Sequence, residues 1–353
     1  MRRFFHKYKK HHLWLGCLVV FFVLFVLLRQ SRAAMNFLAF SVVRPVMQFV
    51  ARLCAATEVS IAEVLIFSAI WVALWYIIAQ LRKRRFVRLF VTLVEIAATV
   101  GACALLLWSS FYGADGFQDK SGLTARGGTV AELTAVTELF AVGVAEYAPQ
   151  VERDWQGVCA ESYRRILDAS EKSYTHVVEL FPCLDSAVLK PKAMAMSRAL
   201  SAMDFTGFYC AFTGEANVNV DSPRCYLPVT VCHEQAHQQG IASEQECNFV
   251  GIMAAITCDD PAYRYSGYLM GYVYLANALY RVDYEAWQAI RDTIPQEALI
   301  DLQYHRLYWA QFEGPVKNVS TTVYDGFLKA NGLEGGIANY GTVVDLLLGY
   351  FIR

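Results

Sequence analysis

At 353 residues, 56% of them apolar and 18% charged, the chain is long enough for two structural units and too apolar for an ordinary cytosolic domain. Its formal net charge of −1 conceals a split: residues 1–88 carry 14 Lys/Arg against 2 Asp/Glu, whereas residues 89–353 carry 17 against 30. The acidic balance of the larger part excludes a basic nucleic-acid footprint, and no nucleic-acid partner is expected.

The apolar excess lies at the N-terminal end. Segments at about 12–28, 62–81 and 89–110 are long enough to cross a hydrocarbon core of ~30 Å, the last with Glu95 as its one acidic residue. Three spans are therefore expected within a membrane region of residues 1–112, making the lipid bilayer a partner. A cleaved signal peptide competes for the first segment, because Ala33 and Ala34 follow it, but the other two spans would anchor the product either way. Arg2, Arg3, Lys7, Lys9 and Lys10 precede the first span, and Arg82, Lys83, Arg84, Arg85 and Arg88 separate the second from the third. The loop at 29–63 has only Arg29, Arg32, Arg44 and Arg52. The positive-inside rule then puts the N-terminus in the cytoplasm of a multi-pass cell-membrane protein, with residues 113–353 forming an extracytoplasmic domain.

Beyond the membrane region, helical periodicity predicts long helices at about 128–147 and 151–180. Residues 190–220 change character, and Ala216-Asn-Val-Asn-Val220 alternates in polarity, so a small sheet or hairpin is expected there. Pro228 opens a further helix, Gly240 stops it, and Ser243 caps the next at about 244–257. Residues 265–280 are uncharged, but their length and their Tyr, Gly and Asn content suit a buried core helix better than a fourth span. The expected fold is mainly α. Ten cysteines show no Cys-x-x-Cys spacing, and no bridges are assigned.

The chemistry concentrates at His233-Glu-Gln-Ala-His237. Histidines four apart on a helix present their imidazoles to one cation, and Glu234 flanks them where a carboxylate can reach a metal-bound water without ligating the metal. Zn2+ lowers the pKa of such a water to about 7, and Glu234 can take its proton as the water attacks a peptide carbonyl. The third ligand is expected from Glu244, with Glu246 as the alternative, and Asn248 orienting a histidine through its carbonyl oxygen. The expected substrate is a peptide or protein. Asn217 and Asn219, on the strand-like segment, stand as candidate contacts with an extended substrate backbone. Tyr265, Tyr268 and His305 are candidate oxyanion donors.

Residues 206–276 resemble the family described as domain of unknown function 3810, membrane proteins assigned to the zinc metallopeptidase-like group. Its pattern His-Glu-x-Ala-His-Gln-x-Gly followed by Glu-x-Glu-Ala-Asn-Phe is met with Cys247 in place of Ala, and Asn248 is the residue that pattern expects. The three N-terminal spans and the stretch YDGFLKANGLEGGIANYGTVVDLLL at 324–348 also match. The resemblance implies a zincin-like, α-rich domain with a zinc site at the motif, and leaves the substrate open. Two other readings compete with a zinc endopeptidase. An intramembrane protease would need the motif inside an apolar span, which the polar residues of 233–248 disfavour. A non-hydrolytic zinc sensor or envelope assembly protein would close the metal shell with Glu246 or Cys247.

Overall fold

The computed structural model describes residues 9–331 and 341–352. Arg2, Arg3 and Lys7 of the orientation argument, and the 332–340 part of the C-terminal stretch, lie outside the described residues. Helix accounts for 71% and strand for 4%, so the chain is mainly α with a small mixed sheet.

Apolar helices come first: α1 (Lys9–Leu28), α2 (Arg32–Asn36), a π-helical turn (Phe37–Val43), α3 (Arg44–Cys54), α4 (Ile61–Arg82) and α5 (Phe86–Ala104). Helix α1 packs on α5, and Glu95 meets His11 Nδ1 at 2.7 Å. Four helical stretches among the described residues are long and apolar enough to cross a membrane: Lys10–Leu28, Arg32–Cys54, Ile61–Arg82 and Phe86–Ser121. Sequence reading expects three, because it takes 29–63 as a loop. That segment is instead helical over Arg32–Cys54. Its arginines mask an apolar stripe at intervals of four, Met35, Ala39, Val43, Met47 and Ala51, all buried.

After α5 the helix runs on through a π-turn (Leu105–Ser109) into α6 (Ser110–Tyr112), followed by α7 (Phe117–Ser121) and α8 (Val130–Tyr147). A capping box starts α8: Glu132 N donates to Thr129 Oγ1 at 3.2 Å and Thr129 N donates to Glu132 at 2.7 Å. The single helix expected over 151–180 is broken. Asp154 Oδ1 accepts from Gln156 N and Val158 N, and Gly157 turns at φ +80°, so only Tyr163–Ala169 and Val177–Leu180 are α-helical. Local side-chain acceptors outcompete the helix there.

Strands β1 (Lys192–Ala193), β2 (Gly207–Cys210) and β3 (Glu215–Val218) form a sheet of order β1-β3-β2, parallel between β1 and β3 and antiparallel between β2 and β3. The sheet lies against α9 (Leu227–Gln238), which packs on α10 (Glu244–Thr257) and α11 (Pro261–Val282). Pro228 sits in the first turn of α9, where its missing N–H has no helical partner to lose. Gly240 ends the turn at φ +82°, and a Cβ there would stand 2.8 Å from the Phe111 ring. Ser243 caps α10, as its sequence position predicts.

Helix α11 covers the uncharged run 265–280 and is a core helix packed on α8 and α10. Gly271 permits that packing, since a Cβ at this position would lie 2.2 Å from the Phe140 ring. Helices α12 (Gln296–Ala310), α13 (Pro315–Ala330) and α14 (Gly341–Phe351) complete the described chain. All ten cysteines are free.

Candidate metal centre

The two motif histidines stand one turn apart on α9, with ring centroids separated by 4.9 Å. Helix α10 brings Glu244 to both: Oε2 lies 3.2 Å from His233 Nε2 and Oε1 lies 3.5 Å from His237 Nε2. One ligand atom from each of these three residues falls within 4.8 Å of the others. The opposite ring nitrogens are engaged. His233 Nδ1 donates to Asn248 Oδ1 at 3.0 Å, and His237 Nδ1 donates to the Ile241 carbonyl at 2.8 Å. With Nδ1 donating in these bonds, Nε2 is the nitrogen that each ring turns toward Glu244 and the one that would be left to ligate a metal.

Glu246 is elsewhere. Two residues on from Glu244 it projects about 200° around the helix. Its carboxylate accepts from Phe117 N at 2.9 Å and Gln118 N at 3.1 Å, holding the start of α7. Cys247 lies behind His237, with Sγ 3.2 Å from His237 Nδ1 and 3.3 Å from the Ile241 carbonyl, on the side of the ring opposite Nε2.

Glu234 is 3% exposed, and its Oε2 is buried with no partner among the described residues. Burial pushes its pKa up to about 7, against the pull of His233 and His237. The start of β2 leaves it room, because a Cβ on Gly207 would come within 2.6 Å of Glu234 Oε1. Burial also disfavours the Glu244 carboxylate, but the neighbouring His237 and His233 outweigh it and hold the group well below its ordinary range.

A cavity of about 580 Å³ opens over the cluster. Thr206 to Tyr209 form one wall, Trp108 another, and Tyr324 and Leu328 of α13 a third. The Trp108 ring meets His237 edge-on at 5.3 Å, and Tyr324 donates its hydroxyl proton to Glu244 Oε1 at 2.5 Å. Sequence reasoning misses both residues. The available signal for Tyr324 is that it opens the C-terminal stretch singled out above.

Four candidates are corrected by their surroundings. Tyr265 donates to Asp301 Oδ2 at 2.5 Å within a buried group that includes Arg153, and Tyr268 stacks on Tyr147 at 5.8 Å; neither lines the cavity. Asn217 is fully buried in the central strand, accepting from Ser60 Oγ at 2.6 Å. Asn219, equally buried, donates to Ser201 Oγ at 2.8 Å and to the Phe205 carbonyl at 3.0 Å. Neither asparagine has an amide left for a substrate. The unpaired edge belongs to β2 rather than β3. His305 does line the cavity, yet its Nε2 accepts from Trp309 Nε1 at 2.9 Å and burial pushes its pKa down to about 4.

Fold and site together define a mainly helical protein that carries apolar helices of membrane-spanning length and a buried His-His-Glu cluster beside an unpartnered glutamate. Over residues 39–348 the sequence matches the family described as "Protein of unknown function (DUF3810)", and the chain belongs to that family. No curated protein and no solved structure matches it.

Proposed function

We propose that the chain is a membrane-anchored, zinc-dependent metallopeptidase. The observation that carries this reading is Glu234: a carboxylate buried without a partner, beside two imidazoles whose Nε2 atoms converge on a second carboxylate, Glu244. A purely structural cluster gives such a group no purpose, and leaving it buried and unsatisfied is costly. The donor set suits Zn2+, whose catalytic sites take three nitrogen or oxygen protein ligands and leave a further position for water. His233, His237 and Glu244 would hold the ion, which when bound supplies Lewis acidity and a water acidic enough to ionise near neutral pH.

The chain's own residues do the rest. Glu234 accepts the proton of the attacking water and returns it to the leaving amine of the peptide. The free edge of β2 offers backbone groups to an extended substrate, in the place first given to the Asn217 strand. The task first given to Tyr265, Tyr268 and His305 falls to Tyr324, whose hydroxyl lines the cavity and would turn from Glu244 Oε1 to the developing oxyanion. Trp108 and Leu328 give the cavity part of its apolar lining.

The non-hydrolytic sensor reading needs a closed shell. Glu246 caps α7 and Cys247 sits against His237 Nδ1 and the Ile241 carbonyl rather than beside Glu244, an arrangement that supports the open-shell reading over this one. In the membrane, we read three spans. Arg32–Cys54 is fastened along the outer domain: Asn36 bonds Asp115, Arg44 pairs with Asp185, and Met47 lies against Gly214. A helix held at both ends and its middle to one domain lies along that domain. The charge asymmetry then puts the N-terminus inside and the site outside.

Glu234→Gln tests the mechanism. The variant should keep its zinc and lose peptide hydrolysis by about 10²–10⁴-fold, the range of general-base contributions. Hydrolysis at the wild-type rate, measured on a peptide library with the chain in nanodiscs, would contradict it.

A further inference from the structure

Helix α13 has two apolar sides. One looks into the cavity through Tyr324 and the buried Leu328. Beside it runs a stripe of Val316, Val319, Val323 and Phe327, which are 59%, 65%, 68% and 38% exposed. Their spacing of three and four residues sets them on one line along the helix. Asn318, Thr322, Asp325 and Lys329 occupy the opposite side. Among the described residues none covers the stripe.

The C-terminal end of this helix is tied to the membrane region. Arg29, the residue after α1, donates from Nη2 to the Asn331 carbonyl at 3.1 Å. Because α1 is a twenty-residue apolar helix ending at Leu28, the bond holds α13 at the level where that helix leaves the lipid. Across the cavity Trp108 stands on the helix continuing from α5, so the facing wall starts from the same boundary. Phe327 belongs both to the stripe and to the cavity lining, which makes the stripe the rim of the site.

A helix with an exposed apolar stripe, a polar opposite side and a tether at the lipid boundary has the character of an interfacial helix. We propose that α13 seats Val316, Val319, Val323 and Phe327 in the surface of the bilayer that α1, α4 and α5 enter, so that the cavity mouth opens at the lipid boundary. This rests on the membrane-anchored reading above and is independent of the zinc chemistry.

A benzophenone amino acid placed at position 323, 322 or 71 of the full chain in phosphatidylcholine–phosphatidylglycerol nanodiscs tests it. Position 71, within α4 and 72% exposed at Trp71, reports anchoring itself, and position 322 reports the polar side of α13. The expected result is lipid adducts at 71 and 323, with the yield at 323 about five-fold or more above that at 322, as depth in the interface dictates. Equal yields at 323 and 322, no lipid adduct at either while 71 labels, or an adduct between 323 and a second copy of the chain would overturn the proposal. Absence of lipid adduct at 71 would overturn the anchoring on which it rests, and zinc content of the same samples reads the metal centre separately.

Discussion

Glu234 and His305 line one cavity and show burial acting in opposite directions on charge. Desolvation favours the neutral form of each, raising the carboxylate to about 7 and lowering the imidazole to about 4. The raised value suits a general base working near neutral pH. For His305 the consequence is a linkage between pH and stability. Between its ordinary value near 6.5 and about 4 the unfolded chain binds a proton that the folded chain refuses, so this residue makes stability fall as pH drops through that window. His305→Gln keeps an acceptor for Trp309 and removes the titration. Its melting temperature relative to wild type should therefore rise progressively from pH 7 to pH 4, and parallel curves would show that His305 is not the neutral acceptor described. The motif spacing made His233, Glu234 and His237 legible in the sequence, because helical geometry alone puts them together. It did not separate Glu244 from Glu246, which share the first turn of α10, until the contacts of α7 were known. Tyr324 lies eighty residues from Glu244 in the chain, and no local pattern announces that they meet.

Among the elements, α10 and α11 pack on the motif helix and α8 packs on α11, so closely that side-chain volume at the crossings becomes limiting. Gly271 is the clearest case. A methyl group there would drive into the Phe140 ring, which is fully buried and already packed on Tyr268 and Phe351. Gly271→Ala should cost about 1–3 kcal/mol, the usual range for overpacking, despite its higher helix propensity. Thermal unfolding in detergent would show it as a lowered transition, and an unchanged or raised one would mean that α8 and α11 can separate. The helices α8, α10 and α11 were readable because caps and apolar periodicity agree. Two features were not. The arginines of 29–63 concealed a helix whose apolar stripe packs with Phe111, Ala114 and Ala242, and the polar alternation of 216–220 suggested a half-buried strand. Pairing on both sides makes β3 a fully buried central strand, so Asn217 on it and Asn219 just past its end serve the fold.

At the scale of the molecule, the joint between the apolar N-terminal helices and the part of the chain that carries the site runs through buried carboxylates at helix starts. Glu215, on β3, accepts from Ile61 N at 3.2 Å and Ala62 N at 2.8 Å, and Glu63 accepts from Ala195 N and Met196 N at 2.9 and 2.8 Å. The first turn of α4 is thereby fixed to the sheet that backs the motif helix, while α5 runs on to Trp108 beside His237. The apolar helices and the site are thus packed together, and the family match likewise extends over residues 39–348 rather than the motif alone. Long apolar runs made the membrane region legible in the sequence, but nothing in their composition tells that they reach the metal cluster. The central claim is that His233, His237 and Glu244 hold a zinc ion that Glu234 serves. Zinc stoichiometry of the purified full chain, compared among wild type, Glu244→Ala and Glu246→Gln, tests it most directly. The account predicts about one zinc per chain in wild type and Glu246→Gln, and strong loss in Glu244→Ala, as expected when one of three catalytic ligands is removed. A wild-type chain without zinc, or full occupancy in Glu244→Ala with loss in Glu246→Gln, would contradict it.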